Sequence, residues 1–389
     1  MGELRNLLSL NFGTSPGREY PVPRVIEHIS DKCVISAGCL DANLVRTLSV
    51  CEYVSLQKIK EFFAQSPILA SYPLLLQRRI PQRAAMFATE VLGNDDNLTE
   101  KWFLRKTSLH LLMTVQMTLQ WLIDDTLDED GSIDPDITDL IITYCLHALA
   151  PDSVAAVDTA LLTAACQKYK IPKDFVPTIS RLAGWQRELA ISLGLSLESS
   201  SIYTCFNQEF LKSFLQRNDR FINVSSYLQH REVNCGLSME ILCGAFWFYW
   251  LANDSVPNME HDKDHYARII YRYSLLGGVS NDLFGYDKDL EEGVATSVEV
   301  VKRSGLTRRS SNDAIKTTDA FHLLISLHND LLKELIERIG NCSDPLEKTI
   351  LLAALTATWA IRMLHHEFRV IYRPGWLQKI LSELSLRQR

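Results

Sequence analysis

The sequence lacks the short patterns that mark a zinc peptidase (HExxH), a P-loop nucleotide enzyme or a GxGxxG dinucleotide enzyme. CxxC is missing too. Its nine cysteines are odd in number and dispersed, which excludes a disulfide framework and reads as the reduced thiols of a cytoplasmic protein. There is no excess of positive charge. With 40 basic and 47 acidic side chains the net charge is −7, so charge balance offers no surface for nucleic acid. The opening MGELRNLLSLNFGTSPG has no basic segment followed by an apolar one, so no secretory signal is expected, and Asn6 stands where a myristoylation motif needs Ser or Thr. Linkers rich in Gly, Ser or Pro, internal repeats and short alternating strand patterns are also scarce, which argues against a string of domains, a solenoid or a β fold.

What remains is an ordinary globular composition, 47% hydrophobic and 22% charged, in a chain of 389 residues. Residues 1–38 read as an irregular N-terminal strap, and residues 39–389 as one α-helical domain. Apolar residues recur there at three- and four-residue spacing, as in Leu109-Leu112-Met113-Met117 and Leu324-Leu327-Leu331-Leu335. Prolines at 67, 73, 81, 135, 151, 172, 177, 257 and 345 punctuate these runs. The polar stretch from Lys302 to Asp319 reads as a mobile surface loop. Gly236 to Ala252 is apolar for nearly the minimum spanning length, but it contains Glu240, so a buried helix is expected rather than a membrane span.

Four stretches could carry chemistry. The first is Trp121-Leu-Ile-Asp-Asp-Thr-Leu-Asp-Glu-Asp130, five acids within seven residues at the end of an apolar run. On a helix, Asp124 and Asp128 lie one turn apart with Asp125 beside them. Like charges at that spacing repel unless a cation offsets them, and Mg2+ suits carboxylates combined with phosphate oxygens. A solvated helix end is the ordinary alternative. The second is Asn281-Asp-Leu-Phe-Gly-Tyr-Asp-Lys-Asp289, where Asn281, Gly285 and Asp289 follow at four-residue steps and Lys288 stands alongside. Two oxygen donors two turns apart could hold one hard cation, or could simply form a polar helix face.

The third, Tyr227 to Gly236, places Arg231 just before a nearly uncharged, aromatic segment containing Phe246, Trp247 and Trp250. Such an arginine is either paired structurally or points into a site. Aromatic faces are ordinary core, but they also suit a carbocation through cation–π attraction. The fourth lies near the C-terminus, where Arg369, Tyr372 and Arg373 share one helical side and could cap a diphosphate.

Taken together and in this order, these segments resemble the class I terpene synthases in their compact single-domain form. The resemblance covers roughly residues 60–376. It implies an all-α bundle around a central apolar cavity that ionises an acyclic prenyl diphosphate and guides the carbocation to a cyclic terpene. It further implies three Mg2+ ions, with Mn2+ as a substitute, held by Asp124, Asp125 and Asp128 and by Asn281 and Asp289. Arg231 matches the diphosphate sensor, Asn234 the linker residue and Cys235 the effector carbonyl at a helix break. Lys288, Arg369, Tyr372 and Arg373 are the further diphosphate contacts, and Trp121, Phe246, Trp247, Trp250 and Trp359 the cavity lining. Three departures stand out. Gly285 replaces a hydroxyl residue, Asp289 is one methylene shorter than the usual Glu, and no Arg-Tyr dipeptide closes the chain.

The expected substrate is geranylgeranyl diphosphate, with farnesyl diphosphate next. A monomer or homodimer is expected, without nucleic acid or a membrane span. Chain elongation by a prenyl diphosphate synthase is the rival activity, although Glu129-Asp130-Gly131 stands where that chemistry places arginines. A non-catalytic scaffold of the same fold is the third reading.

Overall fold

The computed structural model describes residues 50–64, 80–93, 98–128, 134–152, 154–169, 171–172, 174–216, 223–291, 296–304 and 313–365. The N-terminal strap and the triad Arg369, Tyr372 and Arg373 lie outside them. The described residues form thirteen α-helices and two short 3-10 turns, with no strand among them. The helices are α1 (Val50–Ala64), α2 (Ile80–Leu92), α3 (Glu100–Asp128), α4 (Pro135–Leu149), α5 (Thr159–Lys168), α6 (Phe175–Ser192) and α7 (Ile202–Ser213). They continue with α8 (Val224–Asn234), α9 (Leu237–Asn253), α10 (Lys263–Glu291), α11 (Ser297–Arg303), α12 (Asp313–Asn341) and α13 (Pro345–His365).

Several prolines expected to break helices begin them instead. Pro135 and Pro345 open α4 and α13, and Pro81 and Pro177 sit in the first turns of α2 and α6. Proline is tolerated there because the first-turn N–H groups have no helical acceptor to lose. Asp134 caps α4 through Asp136 N at 3.0 Å, and Asp344 accepts from Leu346 N at 2.7 Å at the head of α13. The stretch from Lys302 to Asp319 is a loop only in part, since α11 runs to Arg303 and α12 starts at Asp313.

The chain divides into two compact units. In the first (48–219 with 255–267) α3 is the central helix, packed by α1, α2 and α6. Every residue from Leu109 to Gln120 is buried, so the helix is enclosed all round rather than on one stripe. Three of its buried threonines find acceptors within the helix. Thr114, Thr118 and Thr126 each donate to the carbonyl one turn back at 2.6–2.7 Å. The fully buried His110 is held by Ser55 Oγ at 2.8 Å and Thr89 Oγ1 at 2.9 Å, and Thr89 in turn donates to Glu52 Oε2 at 3.1 Å. That network ties α1 and α2 to α3. All seven cysteines in the described residues are free thiols, and burial pushes Cys166 up to about 11.

In the second unit (220–254 with 268–389) α9 plays the same central part. Its residues Leu237 to Phe248 are all buried, and α13 packs against it. Ala353, Ala354, Ala357 and Ala360, each at 0% exposure, let that helix come close. Apolar character around the whole circumference of α9 therefore reflects burial in a core. No single helix among the described residues is long and apolar enough to cross a membrane. Only α8 and α9 together pass that test of length and composition, and they meet at a 50° bend.

Candidate functional site

The bend between α8 and α9 has a local cause. Cys235 ends α8, and Gly236 takes φ +73°, ψ −5°, the left-handed conformation in which an L side chain strains the backbone. Gly236→Ala is therefore expected to cost about 1–2 kcal/mol, read as a lower denaturant midpoint with an unchanged slope. An unchanged midpoint would mean that the bend does not depend on this residue. The Cys235 thiol donates to Ser274 O of α10 at 3.2 Å, and burial pushes it up to about 11, so it stays protonated.

Arg231 precedes this bend by one turn and is 8% exposed. On α8 it shares a face with Tyr227, four residues earlier, and that face meets Gly278 and Asp282 of α10, which are also four apart. At Gly278 the two helices approach closely. A Cβ there would lie 3.1 Å from Arg231 O and 3.2 Å from Arg231 Cβ, so only glycine fits without a shift. One turn on, Asp282 Oδ1 accepts the Arg231 Nη2 ion pair at 2.9 Å. Asp282 Oδ2 accepts from Tyr227 Oη at 3.1 Å and from Ser297 N at 2.8 Å. Arg231 Nη1 donates to Asn234 Oδ1 at 2.6 Å, and Nη2 lies 3.4 Å from Gly278 O.

Burial alone would lower the pKa of this guanidinium. Asp282, with smaller contributions from Tyr227, Cys235 and Asp289, more than reverses that and raises it. Burial and then Asp282 raise the Tyr227 phenol, so both groups keep their protons. Arg231 Nε is buried and has no hydrogen-bond partner among the described residues. A buried donor of that kind is costly unless a ligand meets it.

Asn281 and Asp289 are half-buried on α10, and Gly285 between them is buried. Eight residues at 3.6 per turn leave the two roughly 80° apart, whereas Asp289 stands roughly 20° from the line of Asp282. That placement accounts for its charge acting on Arg231. Lys288 lies on α10, but its side chain is outside the described residues.

In the first unit, Asp124 and Asp125 are half-buried on the last turns of α3, and the side chain of Asp128 is outside the described residues. The last turn of α3 holds no basic residue. Acids there oppose the helix dipole, whose negative end favours cations. Among the described residues, no three His, Cys, Asp or Glu side chains come together closely enough to hold a metal ion. The chemistry of the donors nevertheless fits a hard divalent cation, being carboxylate and amide oxygens without thiol or imidazole.

The aromatic residues divide similarly. Trp121 is half-buried, with the Arg83 guanidinium 5.2 Å above its ring. Phe246, Trp247 and Trp250 are buried on α9, where Phe246 and Trp250 meet edge to face at 6.0 Å, and Trp359 is buried on α13. Glu260–Asp262 forms a 3-10 turn running into α10 at Lys263. Nearby, Glu260 accepts from Ile202 N at 3.1 Å and Lys263 donates to Ser200 O at 2.8 Å, which secures the start of α7.

Arg231 stands out in the sequence, and Asn234 through the family resemblance, whereas Asp282, the acid that α10 sets against them, does not. Asp282 carries no spacing signal of its own. The clue was Gly277-Gly278 one turn earlier, a mark of close helix approach. A GxSxG pentad, Gly13 to Gly17, also stands in the sequence and lies outside the described residues. Pro16 follows its serine and has no N–H to form an oxyanion hole, so the pattern lacks the chemistry of a nucleophile elbow.

The family model for terpene synthase family 2, C-terminal metal binding, matches residues 116–334. No curated protein matches the chain. Among solved structures it is similar to abietadiene synthase from Abies grandis (TM-score 0.56, 12% identity), covering 86% of this chain and 40% of that one. It is similar to isoprene synthase from grey poplar leaves (TM-score 0.54, 13% identity, 87% and 57%). Germacradien-4-ol synthase from Streptomyces citricolor is matched over 84% of this chain and 98% of its own (TM-score 0.53, 13% identity). The chain thus spans well under two thirds of the two plant proteins and nearly the whole of the bacterial one. At these identities the likeness is one of fold, the all-α fold of class I terpene synthases. The family match covers more than half of the 389 residues and takes in both acidic segments and the Arg231–Asp282 pair. The chain belongs to terpene synthase family 2, defined by its C-terminal metal-binding region.

Proposed function

We propose that this protein is a class I terpene cyclase that ionises an acyclic prenyl diphosphate and cyclises it to a terpene hydrocarbon or alcohol. Geranylgeranyl diphosphate is the favoured substrate and farnesyl diphosphate the next, because the chain is long for a compact sesquiterpene enzyme. The observation that carries the reading is the buried Arg231. It is held at both terminal nitrogens, its Nε has no partner among the described residues, and it lies inside the region that the family model matches.

Asp124, Asp125 and Asp128 on α3, and Asn281 and Asp289 on α10, would hold the magnesium ions. When bound, Mg2+ neutralises the diphosphate and stabilises the charge that develops on it as the bond to carbon breaks. Arg231 contributes a fixed positive charge to the same leaving group, and Lys288, Arg369, Tyr372 and Arg373 are the further contacts. Water bound in place of the missing hydroxyl would serve where Gly285 stands. The aromatic side chains Trp121, Phe246, Trp247, Trp250 and Trp359 would line the apolar cavity, exclude water and face the cation. The protein would act in the cytoplasm as a monomer or homodimer.

The test is direct. Purified protein with Mg2+ and geranylgeranyl or farnesyl diphosphate is expected to release a terpene hydrocarbon or alcohol, seen by gas chromatography–mass spectrometry. A chelator should abolish the product, and added Mn2+ should restore part of it. A longer prenyl diphosphate formed only with isopentenyl diphosphate would replace cyclisation by elongation. An absence of turnover with every substrate would leave a scaffold.

A further inference from the structure

We propose that Asp282 is a positioning residue that sets Arg231 against the diphosphate and links it to the helix carrying Asn281 and Asp289. The inference rests on the diphosphate role of Arg231 given above. Asp282 is not placed to be a metal ligand itself, because its side chain is 3% exposed and both its oxygens are taken by protein donors.

Those donors come from two different helices. Arg231 and Tyr227 belong to α8, and Ser297 N is the first residue of α11. One turn along α10, Tyr286 Oη donates to Glu299 Oε1 at 2.9 Å, and Lys302 Nζ bridges to the same oxygen at 2.7 Å. Two successive turns of α10 thus hold α11, and the first of them also holds the sensor arginine. Asn281 adjoins Asp282 in the chain, and Asp289 is two turns further along the same helix. Any movement of α10 that reseats Asn281 and Asp289 must carry Asp282 with it, and the guanidinium follows its ion pair. The carboxylate and Asn234 fix both ends of the guanidinium fork. Nε is then the guanidinium nitrogen without a partner among the described residues, and the orientation of its N–H is set by Asp282.

Inorganic pyrophosphate with Mg2+, titrated into the full chain by calorimetry, tests the role without requiring turnover. Asp282→Asn keeps the shape and the acceptor oxygen for Ser297 N, but it removes the charge opposite Arg231. It should weaken pyrophosphate binding at least ~tenfold. Asp282→Glu, which keeps the charge, should recover part of the loss. In the Arg231→Gln background the Asp282→Asn change should have no further effect, since Asp282 acts through the arginine. Wild-type affinity in a folded Asp282→Asn protein overturns the proposal, as do losses that simply add in the double variant. Should Asp282→Asn fail to fold, Arg231→Gln and the double variant carry the same comparison, equal affinities supporting the role and unequal ones overturning it. Wild-type protein that binds no pyrophosphate overturns instead the functional reading on which the proposal rests.

Discussion

Asp124→Ala protein is expected to keep its helical circular-dichroism spectrum and to lose at least ~100-fold in kcat/KM with a prenyl diphosphate, about 2.7 kcal/mol of transition-state stabilisation. The two effects separate because a carboxylate in this position gains nothing from its own helix. It is half-buried on the last turns of a helix with no basic residue in its final turn, where the dipole disfavours a carboxylate. One acid fewer relieves repulsion from Asp128 one turn on. Stability should therefore change by less than about 1 kcal/mol, in the range of surface substitutions. The combination is diagnostic. A carboxylate set against its own helix dipole draws its support from outside that helix, and a divalent cation suits the donor set. Wild-type turnover in the variant would remove Asp124 from the metal ligands. A large loss of stability would assign it a structural part instead.

The fold was legible because burial leaves a mark on composition. The runs Leu109–Ile123 and Gly236–Ala252 became the enclosed helices α3 and α9, apolar all round since each is surrounded by its own unit. Proline was misread in detail, as a terminator where it is an initiator, because the residue is equally at home just outside a helix and in its first turn. Arg231 was legible as a lone charge beside an apolar stretch, whereas Asn234 and Cys235 were named only through the family resemblance. Asp282 was not. Within a segment dense in acids, nothing in spacing separates the one that turns inward from those that face outward. That distinction depends on which helix passes at closest approach, and Gly278 sets it through a contact with a residue 47 positions away. Asp289 shows the same limit. Its four-residue steps from Asn281 suggest one face, yet the accumulated drift brings it nearer the line of Asp282 and within electrostatic reach of Arg231.

Arg231→Ala is expected to lose both stability and turnover, and the stability loss follows from the observed pair alone. Removing the guanidinium leaves the Asp282 carboxylate buried at 3% exposure with two neutral donors, Tyr227 Oη and Ser297 N, as its remaining partners. Breaking a buried ion pair from one side costs about 3–5 kcal/mol, more than the pair itself contributes, because the surviving charge keeps its desolvation penalty. At roughly 2–4 °C per kcal/mol for a unit of this size, the melting midpoint should fall by roughly 6–20 °C. Arg231→Lys separates the two losses. It keeps a charge for Asp282 and so should recover most of the midpoint. A single ammonium lacks the planar fork that reaches Asn234 and Asp282 together while presenting Nε, so turnover should stay low. A wild-type midpoint in Arg231→Ala would show that the Asp282 carboxylate finds another partner. Full activity in Arg231→Lys would reduce the arginine to a structural ion pair, and the diphosphate would then have to be recognised elsewhere in the chain.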